Sequence, residues 1–91
     1  MSIDRPVKRR GDLAVGELNE GTETALLDVE SAHVVCLNPT AAAIWYLCDG
    51  QRDAAAIARE LIEIFPDVAP EVIEADVGAT LKMLVEQGLV E

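Results

Sequence analysis

The sequence predicts an α+β domain in which a three-stranded antiparallel sheet is followed by three helices. Residues 13–37 are rich in strand-forming side chains and are interrupted by short polar turns. From residue 38 onward, the apolar residues recur at helical spacing instead. Strands, then three helices and an apolar tail, are arranged in the order of a winged helix-turn-helix with its sheet placed first.

The three predicted strands cover residues 13–15, 24–29 and 33–37. A polar turn over residues 16–21, which begins and ends with glycine, separates the first two strands. The connection over residues 30–32 has only three residues, which favours an antiparallel hairpin between the second and third strands. A sheet of three short strands has two edges, and unpaired edges in so small a domain invite pairing with another chain.

Capping residues define the predicted helices. Asn38 and Pro39 begin the first helix, whose apolar stripe comprises Ala41, Ile44, Trp45 and Cys48. Asp53 begins the second helix, whose stripe comprises Ile57, Ala58, Leu61, Ile64 and Phe65. The third helix runs from about Pro70 to Gln87, and Gly88 ends it.

The third helix has an apolar face wider than one stripe. Its core positions are Ile73, Val77, Thr80, Leu81 and Leu84. Beside them lies a shoulder formed by Val72, Ala79 and Met83, with Asp76 among them. This shoulder either widens the buried face or lines a groove beside a strand edge, in which an extended peptide can lie.

Composition and charge limit the classes of function. Hydrophobic residues make up 51% of the 91 residues, so intrinsic disorder is excluded. There is neither an apolar run of 18 residues nor a signal peptide, so we expect a cytoplasmic protein without a membrane partner. Residues 11–91 contain sixteen acidic and three basic residues and carry −13, which predicts no nucleic acid partner. Four of the seven basic residues lie in residues 1–10, and we expect residues 1–12 to form a flexible basic arm preceding a domain over residues 13–91.

The residue types needed for catalysis do not converge in this sequence. The serines are Ser2 and Ser31, and the histidine is His33. Cys36 and Cys48 form no CxxC pattern, and we expect both thiols to be reduced and at least half buried. His33 and Cys36 lie three positions apart on a strand and therefore point to opposite faces. The sequence thus predicts no enzyme activity, no metal site and no cofactor.

Several segments resemble a known family. They are the LNPTA segment at residues 37–41, Ile44-Trp45, the LCDGQR segment at residues 47–52, Asp76-Val77 with Leu81 and Leu84, and Gly88-Leu89-Val90. Over roughly residues 24–91, the sequence resembles the family of pyrroloquinoline quinone biosynthesis protein D (PqqD-like). The strand pattern of the N-terminal third is more similar to that of the broader class of precursor-peptide recognition domains.

The resemblance implies a non-catalytic peptide chaperone. Such domains bind the leader of a ribosomally made precursor peptide as an added strand and present it to a modifying enzyme, which in the quinone pathway is a radical S-adenosylmethionine enzyme. Carried over by position, the peptide-binding residues are His33, Val34, Val35, Cys36 and Leu37 on the strand edge and Asp76, Ala79 and Met83 on the helix. A winged-helix DNA-binding regulator and an oligomerisation module that forms a homodimer through edge strands remain the alternatives, and the pathway stays open.

Overall fold

The structure, a computed structural model, describes residues 5–91 and confirms three antiparallel strands followed by three helices. The strands are β1 (Ala14–Leu18), β2 (Glu23–Asp28) and β3 (His33–Leu37). The helices are α1 (Pro39–Leu47), α2 (Ala54–Ile64) and α3 (Pro70–Glu86). No helix within residues 5–91 combines the length and the apolar character needed to cross a membrane.

The sheet has the order β1-β2-β3, so β1 and β3 are its edges. Val15, Leu26 and Val35 are cross-strand neighbours and lie on the face that is turned toward the helices. The first strand extends to Leu18, three residues beyond the predicted end, because Gly16 is accommodated in the ladder opposite Ala25. The turn is correspondingly shorter than predicted, and its residues Asn19, Glu20 and Gly21 all have positive φ.

The helix starts follow the predicted capping residues. Asn38 Oδ1 accepts a hydrogen bond from the backbone N–H of Ala41 at 2.8 Å, and Asp53 Oδ1 accepts one from Ala56 at 2.9 Å. These side chains satisfy backbone donors that have no partner inside the helix. Gly88 follows α3 with φ of 68°, a left-handed conformation that ends a helix without steric cost.

The core lies between the sheet and the three helices. Its fully buried members include Leu26, Leu37, Ile44, Ile57, Leu61, Leu81 and Leu84. The predicted inward stripe of α2 is wrong at its end, since Ile64 is 55% exposed and Phe65 is 37% exposed. Both residues lie at the C-terminal end of α2, where the chain turns away before α3 begins.

The N-terminal segment differs from the expected flexible arm over the part that the structure describes. Val7 is buried, and its N–H donates to the carbonyl of Arg52 at 3.2 Å. The N–H of Gly50 donates to the carbonyl of Val7 at 2.9 Å, and the N–H of Arg9 donates to the carbonyl of Cys48 at 2.7 Å. Residues 7–10 are therefore packed against the connection between α1 and α2, while residues 1–4 lie outside the described residues.

Arg10 connects three parts of the chain through its guanidinium group. It bonds to Asp12 at 2.7 Å, to Asp28 at the end of β2 at 3.0 Å and to the carbonyl of Gly88 at 3.1 Å. These charged hydrogen bonds hold the pKa of the Asp12 and Asp28 carboxyls below their usual value. The bonds fix the end of the β2–β3 hairpin next to the C-terminal end of α3.

Candidate functional site

The outer edge of β3 is available for pairing. Within residues 5–91, β3 pairs with β2 and with no other strand. The backbone N–H and C=O groups on its other side therefore face water rather than a neighbouring strand. His33, Val34 and Cys36 are exposed, Val35 is half-buried, and Leu37 is buried at the end of the strand.

Helix α3 lies beside this edge and runs in the opposite direction. At one end, His33 Nε2 lies 2.9 Å from Gln87 Oε1 in a hydrogen bond that joins the start of β3 to the end of α3. At the other end, Thr40 and Asp76 line the same small cavity. From Asp76 to Gln87 the helix rises about 16 Å, which is roughly the length of a five-residue strand. Strand and helix therefore run antiparallel, and the space between them is the candidate groove.

One side of α3 faces this groove. Asp76, Thr80, Met83 and Gln87 follow one another at helical spacing and lie beside the buried stripe of α3. Thr80, predicted to be a core residue, and Met83 are both half-buried, and Met83 packs against the core. Asp76 and Ala79 are exposed, and Ala79 lies further toward solvent than Met83. The structure thus brings Asp76 and Met83 to the groove and leaves Ala79 at its rim.

A cavity of about 90 Å³ lies beside Asp76, between the three helices. Its lining is mostly apolar and comprises Thr40, Leu61, Phe65, Val68, Ile73 and Asp76. The volume equals that of about three water molecules, which suits one small apolar side chain. The sequence patterns indicate no role for Thr40 and Phe65 in this cavity, and they predict Gln87 only as the end of the helix.

The cysteines differ in their surroundings. Burial raises the pKa of the Cys48 thiol to about 11, and its Sγ donates to the carbonyl of Ile44 at 3.2 Å. The expectation that both cysteines are at least half buried is wrong for Cys36, which is exposed because it points away from the helices on an edge strand. Within the described part of the chain, no three His, Cys, Asp or Glu side chains lie close enough together to hold a metal ion.

The β3 edge and α3 together form a candidate site for an extended chain. The β3 edge supplies a row of main-chain donors and acceptors, and α3 supplies a partly apolar wall next to it. The protein interior contains no buried polar or charged side chain among residues 5–91. The arrangement can therefore hold a peptide by main-chain hydrogen bonds and apolar contacts.

Comparisons with known proteins agree with this geometry. The family model of coenzyme PQQ synthesis protein D (PqqD) matches residues 23–90. No match is found among curated proteins. Among solved structures, lasso peptide synthetase B1 complexed with the leader peptide is 26% identical, with a TM-score of 0.74 over 94% of this chain and 98% of that one.

Two further structures are similar. The PqqD truncation of Methylobacterium extorquens PqqCD, described as a functional and stand-alone RiPP recognition element, is 25% identical. Its TM-score is 0.70, and the match covers 98% of this chain and 88% of that one. TbiB1 in complex with the TbiA(beta) leader peptide has a TM-score of 0.73 over 92% and 94% of the two chains. At 19% identity, the TbiB1 match shows the shared fold alone.

Proposed function

The chain belongs to the PqqD family, and we propose that it is a non-catalytic chaperone for a ribosomally synthesised precursor peptide. It binds the leader of that peptide and presents the peptide to a modifying enzyme. The observation that carries this proposal is the unpaired edge of β3 with α3 running antiparallel beside it. The complex of a similar structure, lasso peptide synthetase B1, with its leader peptide supports it.

The leader binds by strand addition to β3. Its main chain pairs with the edge from His33 to Leu37, and every second side chain points toward α3. The other edge of the sheet is less suitable, because all five residues of β1 are exposed and no helix covers them. A strand added to β1 would leave the side chains on both of its faces in water, whereas α3 covers one face of a strand added to β3.

The side chains of the groove determine which leader is accepted. Alternate leader residues contact Thr80 and Met83, and the last of them enters the cavity beside Asp76. Met83 is flexible and polarisable, so it adapts to apolar side chains of different shape. We therefore expect a leader with apolar residues at every second position, whose affinity comes largely from the main chain.

The chaperone needs no cofactor of its own, because the enzyme that receives the peptide performs the chemistry. In the quinone pathway that enzyme is a radical S-adenosylmethionine enzyme, and other peptide-modification systems would supply a different one. A homodimer formed through the β3 edges would occupy the same main-chain groups as the leader. Leader binding and this form of dimerisation therefore exclude one another.

A titration with a labelled leader tests the proposal. The probe is a fluorescein-labelled synthetic leader of the precursor peptide encoded beside the gene for this chain, and anisotropy reports binding. Met83→Glu places a charge in the groove and should weaken binding at least about tenfold. Val85→Glu is the matched control, because Val85 is exposed on another side of the same helix and its variant should bind within about twofold of the parent.

Hydrogen exchange locates the bound peptide independently. The amides of β3 that face away from β2 should gain protection when the leader binds, since strand addition pairs them. If a folded Met83→Glu variant binds the leader as tightly as the parent and the amides of β3 show no added protection, the assigned groove is wrong.

A further inference from the structure

The sheet has a second face, which points away from the helices. Because successive side chains of a strand point to opposite sides, the neighbours of Leu26 and Leu37 lie on this outer face. The outer face comprises Ala14, Gly16, Leu18, Glu23, Ala25, Leu27, Val34 and Cys36. Glu23, the first residue of β2, is the one charged strand residue on this face.

The outer face is accessible to solvent. Val34 is 54% exposed and Leu18 is 44% exposed, while Ala25 and Leu27 are half-buried. None of these side chains belongs to the core or packs against it within residues 5–91. Antiparallel sheets usually alternate apolar residues toward the core with polar residues toward water. A solvent-facing side with a single charged residue departs from this alternation and is available for contact with another protein.

Charges around the outer face indicate what kind of protein that is. Residues 13–38, which include the whole sheet and its turns, contain five acidic residues and no Lys or Arg. Glu17, Glu20 and Glu23 lie around the β1–β2 turn, and Glu30 lies in the β2–β3 turn at the opposite end. The nearby Arg10 is already paired with two aspartates. A second copy stacked on this face would bring carboxylates against carboxylates, whereas Lys and Arg residues would complement both ends.

The size of the outer face also disfavours a stable homodimer. Three strands about 4.8 Å apart, each with five residues at about 3.4 Å, cover roughly 250 Å². A stable interface buries about 800 Å² on each partner. An area of this size fits the centre of a transient contact, which is the kind of contact that a peptide carrier makes with an enzyme it must leave.

We propose that the outer face docks the modifying enzyme, through an apolar patch on the enzyme that is flanked by Lys and Arg side chains. The proposal rests on the proposed function, since it assumes that the chain delivers its peptide to an enzyme. It assigns the two tasks to adjacent surfaces: the main chain of the β3 edge and α3 bind the leader, and the side chains of the outer face, which include Val34 and Cys36, bind the enzyme.

Ala25 is the best position for a test, because it lies on the central strand between Gly16 and Cys36. Ala25→Lys places a cation in the middle of the outer face, away from α3. Ala55→Lys makes the same change at an exposed position on α2 and is the matched control. The purified modifying enzyme encoded beside the gene for this chain is immobilised, and its binding to each variant is measured by surface plasmon resonance.

Ala25→Lys should weaken enzyme binding at least about tenfold, while Ala55→Lys should change it by less than about twofold. Leader binding, measured by anisotropy, should be unaffected in both variants. Enzyme binding by Ala25→Lys that equals the parent's would overturn the docking surface, whereas failure of the parent to bind the leader would overturn the proposed function instead. If the circular dichroism spectrum shows that Ala25→Lys is unfolded, Leu18→Lys replaces it with the same expectations. Sedimentation equilibrium tests for a second copy on this face. If the parent is a homodimer and the lysine variant is a monomer, the outer face binds a second copy, and the proposal is also overturned.

Discussion

Proline substitutions at Val34 and Val35 probe the β3 edge most directly. In an antiparallel pair, successive residues of a strand direct their backbone N–H groups alternately toward the partner strand and away from it. One of these two neighbours therefore donates to β2, and the other faces the free edge. Proline has no N–H, so one substitution interrupts the β2–β3 ladder and the other changes only the edge.

The magnitude follows from the number of hydrogen bonds that a leader can form. Five residues of β3 present about five main-chain groups to an added strand, counting donors and acceptors together. Losing one donor costs about 1–3 kcal/mol, because a buried carbonyl of the leader is left without a partner. Since about 1.4 kcal/mol corresponds to a factor of ten, the edge variant should bind the leader about 5- to 150-fold more weakly.

Anisotropy with the labelled leader measures affinity, and thermal unfolding followed by circular dichroism measures stability. We expect one variant to unfold at a clearly lower temperature, and the other to stay close to the parent in stability and lose leader affinity. Val34 is exposed and Val35 packs against the core, so the loss of side-chain contacts is smaller at Val34. If both variants remain folded and bind the leader with the parent's affinity, the leader does not pair with β3.

Three other predictions concern charge and thiol chemistry. A carboxyl whose pKa is lowered by folding stabilises the folded state above its ordinary pKa of 3.8, so the contribution of Asp28 should be lost as the pH falls through the lowered value. In Arg10→Gln, the unfolding temperature should therefore depend less on acid pH than it does in the parent protein. With a chromogenic disulfide reagent, one thiol of the native protein, that of Cys36, should react fast, because Cys48 is buried and its pKa is about 11. Cys36→Ser should remove the fast phase, and two fast-reacting thiols in the native protein would contradict the burial of Cys48. Because residues 11–91 carry −13, a gel shift at about 150 mM salt should show no submicromolar affinity for duplex DNA, and tight binding there would favour a DNA-binding regulator.

Local signals predicted those elements whose ends are determined by neighbouring residues. β3 begins and ends at the predicted residues. Asn38 and Asp53 cap their helices as predicted, because a cap depends only on one side chain and on a backbone N–H three positions away. Gly16 was assigned to a turn, since glycine commonly marks one, but its pairing with Ala25 keeps it in β1. That pairing depends on the partner strand and is not visible in the residues near Gly16.

Long-range contacts account for what sequence analysis missed. Val7 stands alone in a polar segment without periodicity, and it is buried through main-chain bonds to Gly50 and Arg52, more than 40 residues away. The bond between His33 and Gln87 joins positions 54 residues apart and fixes α3 beside β3. The sequence pattern predicted the shoulder of α3 as a binding surface, and the family resemblance predicted the facing strand. The direction and length of the groove depend on packing that no local pattern contains.

The two proposed surfaces are adjacent, and this has a thermodynamic consequence. A leader added to β3 becomes a fourth strand, and the side chains that do not face α3 lie beside Val34 and Cys36 on the outer face. An enzyme docked on the outer face would then contact the leader as well, so it should bind the loaded chaperone more tightly than the empty one. Linkage requires that the enzyme raise the affinity for the leader by the same factor. The coupling is tested by measuring, in the parent and in Ala25→Lys, how much the leader raises the enzyme affinity and how much the enzyme raises the leader affinity. We expect two equal factors above one in the parent and smaller factors in the variant. A factor of one in the parent would mean that the two surfaces act independently.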